Sequence, residues 1–136
     1  MERTYVMLKP DAHERGLMGE VIKRIENKGY KILRLEMGMV SDEQVAEHYG
    51  HLKGDGYPKE AFGEVNEYIQ RGPVVKMIIE GNNVISGIRR MIGPTKEVKQ
   101  VAGELRFELC SSTQENLIHA SDSVETAEIE IKRFFS

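Results

Sequence analysis

The stretch VVKMIIEGNNVISGIRRMIG (residues 74–93) joins two different apolar patterns. Its first eight residues form a nearly continuous apolar run, which predicts a buried strand over 74–81. The next twelve carry an apolar stripe at helical spacing, which predicts a helix over 82–93; the stripe consists of Val84, Ile85, Ile88 and Ile92. The chain therefore contains a strand that runs directly into a helix, and the other segments are assigned outward from this pair.

Three more strands and two more helices are predicted on either side of this pair. The first strand is an apolar run stopped by Pro10, the first helix closes on Gly29, and the second strand alternates apolar and polar residues as a half-buried strand does. The strands are predicted at 4–9, 30–39 and 117–120, and the helices at 19–29 and 123–135. The resulting order, β-α-β-β-α-β, predicts an α+β, ferredoxin-like fold with an antiparallel sheet and helices on its faces.

Extra helices are predicted inside this pattern. Ser41 and Gln44 have the spacing of a capping box, which predicts a helix through about His48. A further helix at about 60–71 follows a glycine-rich turn. Residues 94–116 show no clear period and are predicted to be irregular.

Length and composition bound the class of protein. At 136 residues the chain is predicted to be one domain over 1–136, long enough to bury a hydrophobic core without stabilising disulfides or metal ions. A net charge of −3 does not favour a broad attraction to nucleic acid or to an anionic membrane. The single cysteine, Cys110, cannot form an intrachain disulfide, and no segment resembles a signal peptide or a membrane span. A cytoplasmic location is therefore expected.

The candidates for chemistry are individual side chains, because no phosphate-loop motif is present. Neither G-x-x-x-x-G-K-[ST] nor G-x-G-x-x-G occurs, so nucleotide chemistry would need another construction. His48 and His51 lie three residues apart without a third ligand at a supporting spacing, so a metal site is not favoured there. Cys110 is interpreted as a structural thiol. His119 stands just before the last predicted helix, whose N-terminus would attract anions such as phosphate.

Four long segments of the chain resemble the nucleoside diphosphate kinase family. They are ERTYVMLKPDAHERGLMGEVIKRIENKGY, EHYGHLK, RGPVVKMIIEGNNVI and NLIHASDSVETAEIEI, and together they cover nearly the whole chain. The K-P-D motif after the first strand, joined to N-x-x-H-[GA]-S-D over Asn116 to Asp122, is specific to that family. The resemblance implies a kinase that moves the γ-phosphate of a nucleoside triphosphate (ATP) onto a nucleoside diphosphate, by a ping-pong mechanism through a phosphohistidine.

The family's functional residues are carried over position by position. The resemblance makes His119 the nucleophile, Glu130 the carboxylate that orients its imidazole, and Ser121 an assistant to that pair. For Glu130 the alternative is a solvent-facing helix charge. The implied substrate-binding residues are Lys9, Tyr49, Tyr57, Arg89, Thr95, Arg106, Thr113 and Asn116.

The roles that the resemblance implies follow the nucleotide from its phosphates to its base. Arg89, Thr95 and Arg106 hold phosphates, Tyr49 lies near the transferred phosphate, Lys9 and Asn116 address the 3′-hydroxyl and the phosphate end, and Tyr57 stacks on the base opposite Thr113. A base held by stacking alone is discriminated weakly. Mg²⁺ is the implied cofactor, carried by the nucleotide phosphates without a protein metal site.

The family also implies a homo-oligomer built from two-fold dimers that meet at the edge of the second strand. Here that strand has a largely apolar side, which would promote aggregation if left bare; it consists of Leu33, Leu35, Met37 and Met39. A hexamer is favoured, with a tetramer or a dimer as alternatives. The loop before Arg106, which supports the higher-order step in the family, lacks its usual prolines, and Phe107-Glu108 stand where Gly-Asp is usual.

Two other functions are left open by the sequence. A non-catalytic module could bind a nucleotide as a regulator, and nucleic-acid binding is sometimes attributed to this family. The net charge does not encourage the second. The joint presence of a histidine, a carboxylate and several cations favours catalysis over the first, because simple binding needs no nucleophile.

Overall fold

A computed structural model describes residues 1–46, 68–110 and 117–135. The strands in these ranges are β1 (Glu2–Leu8), β2 (Lys31–Gly38), β3 (Val74–Gly81) and β4 (Ile118–Ala120). The helices are α1 (Pro10–Glu14), α2 (Met18–Asn27), α3 (Val84–Ile92), α4 (Leu105–Leu109) and α5 (Val124–Phe135), with a 3₁₀ turn at Glu97–Lys99. Residues 42–46 are also helical.

The four strands form one antiparallel sheet in the order β2-β3-β1-β4. β1 lies inside the sheet, where Tyr5 faces Ile78 of β3 and Met7 faces His119 of β4. β2 and β4 are the two edges. The α+β, ferredoxin-like fold predicted from the order of elements is confirmed.

The sheet buries apolar side chains on both faces. On one face Val6 and Leu8 of β1 pack with residues of α2 and α3, and on the other Tyr5 and Met7 pack with Phe134 of α5. The stripe predicted for α3 is buried at all four positions, at 0 to 7% exposure. Each such side chain stabilises the fold by about 1.5–3 kcal/mol relative to an exposed one, so the helices are fixed against the sheet that carries His119.

Several predicted helix ends are observed as local hydrogen bonds. The Gln44 N–H donates to Ser41 Oγ (3.1 Å) and the Ser41 N–H donates to Gln44 Oε1 (3.2 Å), which completes the predicted capping box. Gly29 ends α2 with φ +91°, a conformation that suits glycine. The expected end at His48 and most of the helix expected at 60–71 lie outside the described residues.

Two sequence predictions differ from the structure. Residues 94–116 are not irregular throughout, because they contain the 3₁₀ turn and α4. Elements of three and five residues are too short to show an apolar period, and α4 is held instead by buried Leu105. β2 is predicted to be a half-buried strand, but its apolar side is exposed, at 42 to 59% for Leu33, Leu35, Met37 and Met39. The reason is that β2 is an edge strand and no described helix covers that side.

None of the helices in the described ranges is long and apolar enough to cross a bilayer.

Candidate active site

His119 occupies the centre of the short edge strand β4. Alternation along the strand buries Ile118 and Ala120, and the imidazole lies partly open, with 25% of its side chain exposed. Its backbone pairs with Met7 of β1, so the nucleophile candidate is fixed to a central strand. A histidine on regular, paired backbone is held more rigidly than one on a loop.

Glu130 lies beside His119, as the family resemblance implies. The N-terminus of α5 is fixed by Ser123, whose Oγ accepts the Thr126 N–H (3.1 Å), and nearly two turns later Glu130 reaches the strand with 5% of its side chain exposed. The solvent-facing alternative for Glu130 is therefore wrong. One carboxylate oxygen, Oε2, lies 2.8 Å from His119 Nε2, and the other accepts the Ser121 hydroxyl at 2.6 Å.

This contact determines which imidazole nitrogen is basic. A carboxylate accepts hydrogen bonds, so Nε2 carries the proton that is shared with Glu130. In the neutral ring the lone pair is then on Nδ1. Ser121, fully buried, occupies the second oxygen and keeps the carboxylate turned toward the ring.

Two arginines bind the open edge of β4 on either side of His119. Along this segment the backbone N–H and C=O groups of every second residue point to β1, and His119 is one of these residues. The carbonyls of Ile118 and Ala120 therefore point away from β1. Arg106 Nη2 donates to the Ile118 carbonyl (2.7 Å), and Arg89 Nη1 donates to the Ala120 carbonyl (3.2 Å). Both guanidiniums are thereby anchored next to His119, and the edge strand gains hydrogen-bond partners.

Arg106 is also tied to the end of α3. Its Nη1 donates to the Gly93 carbonyl at 2.8 Å. Gly93 has φ +86°, and a Cβ there would lie 2.7 Å from the Glu104 carboxyl carbon, so only glycine fits this turn. Burial lowers the pKa of Arg106 from its ordinary value, yet a guanidinium keeps its charge at neutral pH.

Lys9 follows β1 and approaches the same site. Its N–H donates to the Leu117 carbonyl (2.7 Å), and its Nζ lies 5.7 Å from the centre of the Tyr68 ring. Burial, and next the positive charge of Arg106, lowers the pKa of Lys9 to about 8, while Asp11 acts in the opposite direction. Lys9 can therefore change its protonation when a phosphate enters.

These residues line one cavity of about 1010 Å³. That volume is at the upper end of ordinary ligand pockets and admits a nucleotide. Six predicted residues contribute to its wall: Lys9, Arg89, Thr95, Arg106, His119 and Glu130. Among the described lining residues Lys and Arg outnumber Asp and Glu, as a site for a polyanion requires.

The sequence missed some lining residues, and others cannot be placed. Arg90 is exposed but also lines the cavity, together with Asp122, Ile129 and Arg133. Arg90, Ile129 and Arg133 are marked only by their position on helices that flank the site, whereas Asp122 ends the N-x-x-H-[GA]-S-D motif that contains His119. Tyr49, Tyr57, Thr113 and Asn116, and the pair His48 and His51, lie outside the described residues.

The described residues do not provide a metal centre. In the ranges 1–46, 68–110 and 117–135 no group of three His, Cys, Asp or Glu side chains could hold an ion. Cys110 is half-buried, and burial raises its pKa to about 11, so it is a protonated thiol at neutral pH.

Comparison with known proteins gives one family for this geometry. A family model described as nucleoside diphosphate kinase matches residues 2–136. A nucleoside diphosphate kinase of Acetivibrio thermocellus is 47% identical over 135 residues, which cover 99% of this chain and 96% of that protein. The crystal structure of nucleoside diphosphate kinase from Encephalitozoon cuniculi superposes with a TM-score of 0.93 at 37% identity, over 99% of this chain and 89% of that one. The Aquifex aeolicus nucleoside diphosphate kinase gives 0.89 at 35% identity, over 99% and 95%. The chain belongs to the nucleoside diphosphate kinase family.

Proposed function

We propose that this enzyme transfers the γ-phosphate of a nucleoside triphosphate such as ATP to a nucleoside diphosphate, in two half-reactions that share a phosphohistidine at His119. The observation that supports this most is the 2.8 Å contact between His119 Nε2 and a buried carboxylate at the wall of a cationic cavity. Binding a nucleotide as a regulator would need the cations but not an oriented imidazole.

In the first half-reaction the Nδ1 lone pair of His119 attacks the γ-phosphorus. The bond from that phosphorus to the oxygen bridging to the β-phosphate breaks, and the nucleoside diphosphate leaves with the electron pair. The ring becomes positively charged while Nε2 keeps its proton, and Glu130 stabilises that charge. In the second half-reaction a terminal oxygen of an acceptor diphosphate attacks the phosphoryl group, and the nitrogen–phosphorus bond breaks.

The cations of the pocket hold the phosphates. Arg89 and Arg106 are anchored beside His119 through the strand carbonyls, so each places a fixed positive charge at the site without having to reorganise. Lys9 adds a third charge and Thr95 a hydroxyl at the wall. Tyr49 near the transferred phosphate, and Asn116 with Lys9 near the 3′-hydroxyl, are proposed from the family resemblance.

Mg²⁺ is proposed to enter on the nucleotide. The excess of cations over carboxylates among the described lining residues suits a polyphosphate that brings its own ion. When bound, the ion neutralises phosphate charge during transfer.

We further propose that the base is held by stacking on Tyr57 opposite Thr113. An aromatic face accepts any base, with about 1–3 kcal/mol of stacking for each. Purine and pyrimidine, ribo and deoxyribo diphosphates would then all serve as acceptors.

We propose that the exposed apolar side of β2 forms the interface of a two-fold dimer. The apolar residues of this side, Leu33, Leu35 and Met37 of the edge strand and Met39 just after it, are each 42 to 59% exposed. Such an edge promotes pairing with a second copy. We propose a hexamer built from three such dimers, with a tetramer or a lone dimer as alternatives, acting as a single-domain enzyme in the cytoplasm.

Intact mass after mixing with ATP and Mg²⁺, without any acceptor, tests the function. The enzyme should gain one phosphate that is acid-labile and base-stable, and His119→Ala should gain none while still binding nucleotide. His13→Ala is the matched control, since His13 is exposed on α1 and outside the cavity wall. A protein that binds ATP without gaining phosphate would be the regulatory module instead.

A further inference from the structure

Asp11, the acidic residue of the K-P-D motif, has no part in the mechanism above, although it is 2% exposed. It lies in the first turn of α1, two residues after Lys9. A buried carboxylate is costly unless hydrogen bonds satisfy it, so its partners show which part of the fold it serves.

Both oxygens of Asp11 contact groups that are distant in the sequence. Oδ2 accepts the Leu117 N–H at 3.1 Å, and Oδ1 accepts the Tyr68 hydroxyl. The Leu117 carbonyl in turn accepts the Lys9 N–H at 2.7 Å. The corner made by Lys9, Pro10 and Asp11 therefore holds both backbone polar groups of Leu117.

Leu117 is held in an unusual conformation. Its φ is +70°, in the left-handed region that leucine rarely adopts, and its side chain is 0% exposed in the core. It immediately precedes β4, and His119 is two residues further on. Such a conformation persists only where surrounding contacts fix it, and the Asp11 carboxylate is one of those contacts.

We propose that Asp11 is a positioning residue for phosphoryl transfer: by holding the Leu117 N–H it fixes where β4 begins, and so fixes the imidazole of His119 relative to Lys9 and the bound phosphate. This role rests on the proposed function, in which His119 is the nucleophile. In-line transfer needs reacting atoms about 3–3.5 Å apart, and a displacement of about 1 Å costs about a hundredfold in rate.

The charge of Asp11 has a second, separable effect on Lys9. Within residues 1–46, 68–110 and 117–135, the charged and titratable groups that act on Lys9 include Arg106 of α4, Cys110 after it, Asp11 of α1 and the ring of Tyr68. The Asp11 carboxylate raises the pKa of Lys9, against burial and Arg106. Asp11→Asn should therefore lower the pKa of Lys9 below its value of about 8, and the alkaline loss of activity should begin at a lower pH. Loss of packing alone would not change the pH at which this alkaline loss of activity, the alkaline limb of the pH profile, begins.

Rapid-quench measurement of phosphoenzyme formation from ATP–Mg²⁺ tests the proposal. At pH 7, Asp11→Asn should react about tenfold to a hundredfold more slowly, with nucleotide Kd changed by less than about threefold. Tyr68→Phe, which keeps the ring and removes one donor to Asp11, should be slowed less, by about three- to tenfold. Glu14→Gln is the matched control, because Glu14 is an exposed carboxylate of the same helix that pairs with Arg71.

Each outcome decides between defined conclusions. If folded Asp11→Asn gains phosphate as fast as Glu14→Gln and its alkaline limb is unmoved, the positioning role is wrong. If Asp11→Asn does not fold, Tyr68→Phe decides: a rate equal to that of Glu14→Gln overturns the role, and a slowed rate at unchanged Kd supports it. A wild-type enzyme that gains no phosphate overturns the proposed function and this role with it, whereas normal wild-type labelling with unaffected variants overturns the role alone.

Discussion

Replacing Glu130 by glutamine removes one charge at the point where the imidazole is held. The carboxylate uses one oxygen for His119 Nε2 (2.8 Å) and the other for the Ser121 hydroxyl (2.6 Å). An amide has one accepting oxygen, so glutamine can serve His119 or Ser121 in the observed way but not both. If the amide NH₂ faces Nε2, the ring proton moves to Nδ1 and the lone pair moves to Nε2, so Nδ1 is no longer nucleophilic.

The strength of the lost hydrogen bond sets the expected size of the effect. A hydrogen bond to a charged group contributes about 1.5–3 kcal/mol, against about 0.5–1.5 kcal/mol for a neutral one. The positive charge on the ring grows during transfer, so the lost stabilisation is concentrated in the transition state. Exchanging the charged bond for a neutral one costs about 1–1.5 kcal/mol, and losing it outright costs up to about 3 kcal/mol. We therefore expect the barrier to rise by about 1.4–2.8 kcal/mol, which is a tenfold to hundredfold slower transfer. Nucleotide affinity should change little, because Arg89, Arg106 and Lys9 are intact.

Single-turnover phosphoenzyme formation, with nucleotide Kd measured separately, checks this expectation. Glu128→Gln is the matched control, since Glu128 is exposed on the same helix. An unchanged rate in Glu130→Gln, or a loss confined to Kd, would refute the orienting role of this carboxylate.

Three further predictions concern charge, assembly and base choice. Nucleotide binding at pH 8.5 should take up a proton, because phosphate raises the pKa of Lys9 from about 8, and nucleotide affinity should fall as pH rises through that value. Titration calorimetry in buffers of different ionisation enthalpy measures the proton uptake. Equal uptake in Lys9→Met would contradict the assignment to Lys9. Leu35→Glu on the exposed side of β2 should dissociate the oligomer, whereas Arg3→Glu on β1 should not, as measured by light scattering coupled to size exclusion. A wild-type monomer at micromolar concentration would refute the dimer. With ATP as donor, all common diphosphates should fall within about tenfold in kcat/KM, and a hundredfold preference for one base would point to Thr113 or the turn around Tyr57.

The elements that could be predicted from sequence are those with a repeating pattern or a local cap. The stripe of α3, the continuous apolar run of β3 and the Ser41–Gln44 box each depend on neighbours within a few residues, so local spacing suffices. The 3₁₀ turn and α4 were missed because they are too short for a period. The exposure of β2 was missed because alternation shows which residues share a side, not whether that side is covered.

The site was predicted as a set of residues but not as a geometry. Motif and family resemblance gave His119 and Glu130, whereas the choice of Nε2 as the nitrogen facing the carboxylate depends on how α5 crosses β4. The arginine contacts to strand carbonyls, and the Asp11 contact to Leu117 across 106 residues, are long-range. The lowered pKa of Lys9 likewise arises from burial and from Arg106, which only the folded chain brings together.

In the proposed mechanism Glu130 holds Nε2 of His119 and so leaves Nδ1 to take the phosphate. The most direct measurement is NMR of the phosphoenzyme with ¹⁵N-labelled histidine, in which the nitrogen bonded to phosphorus is identified by its coupling. The structure predicts phosphorus on Nδ1 of His119 alone, with the proton on Nε2. Phosphorus on Nε2, or on any other residue, would contradict it.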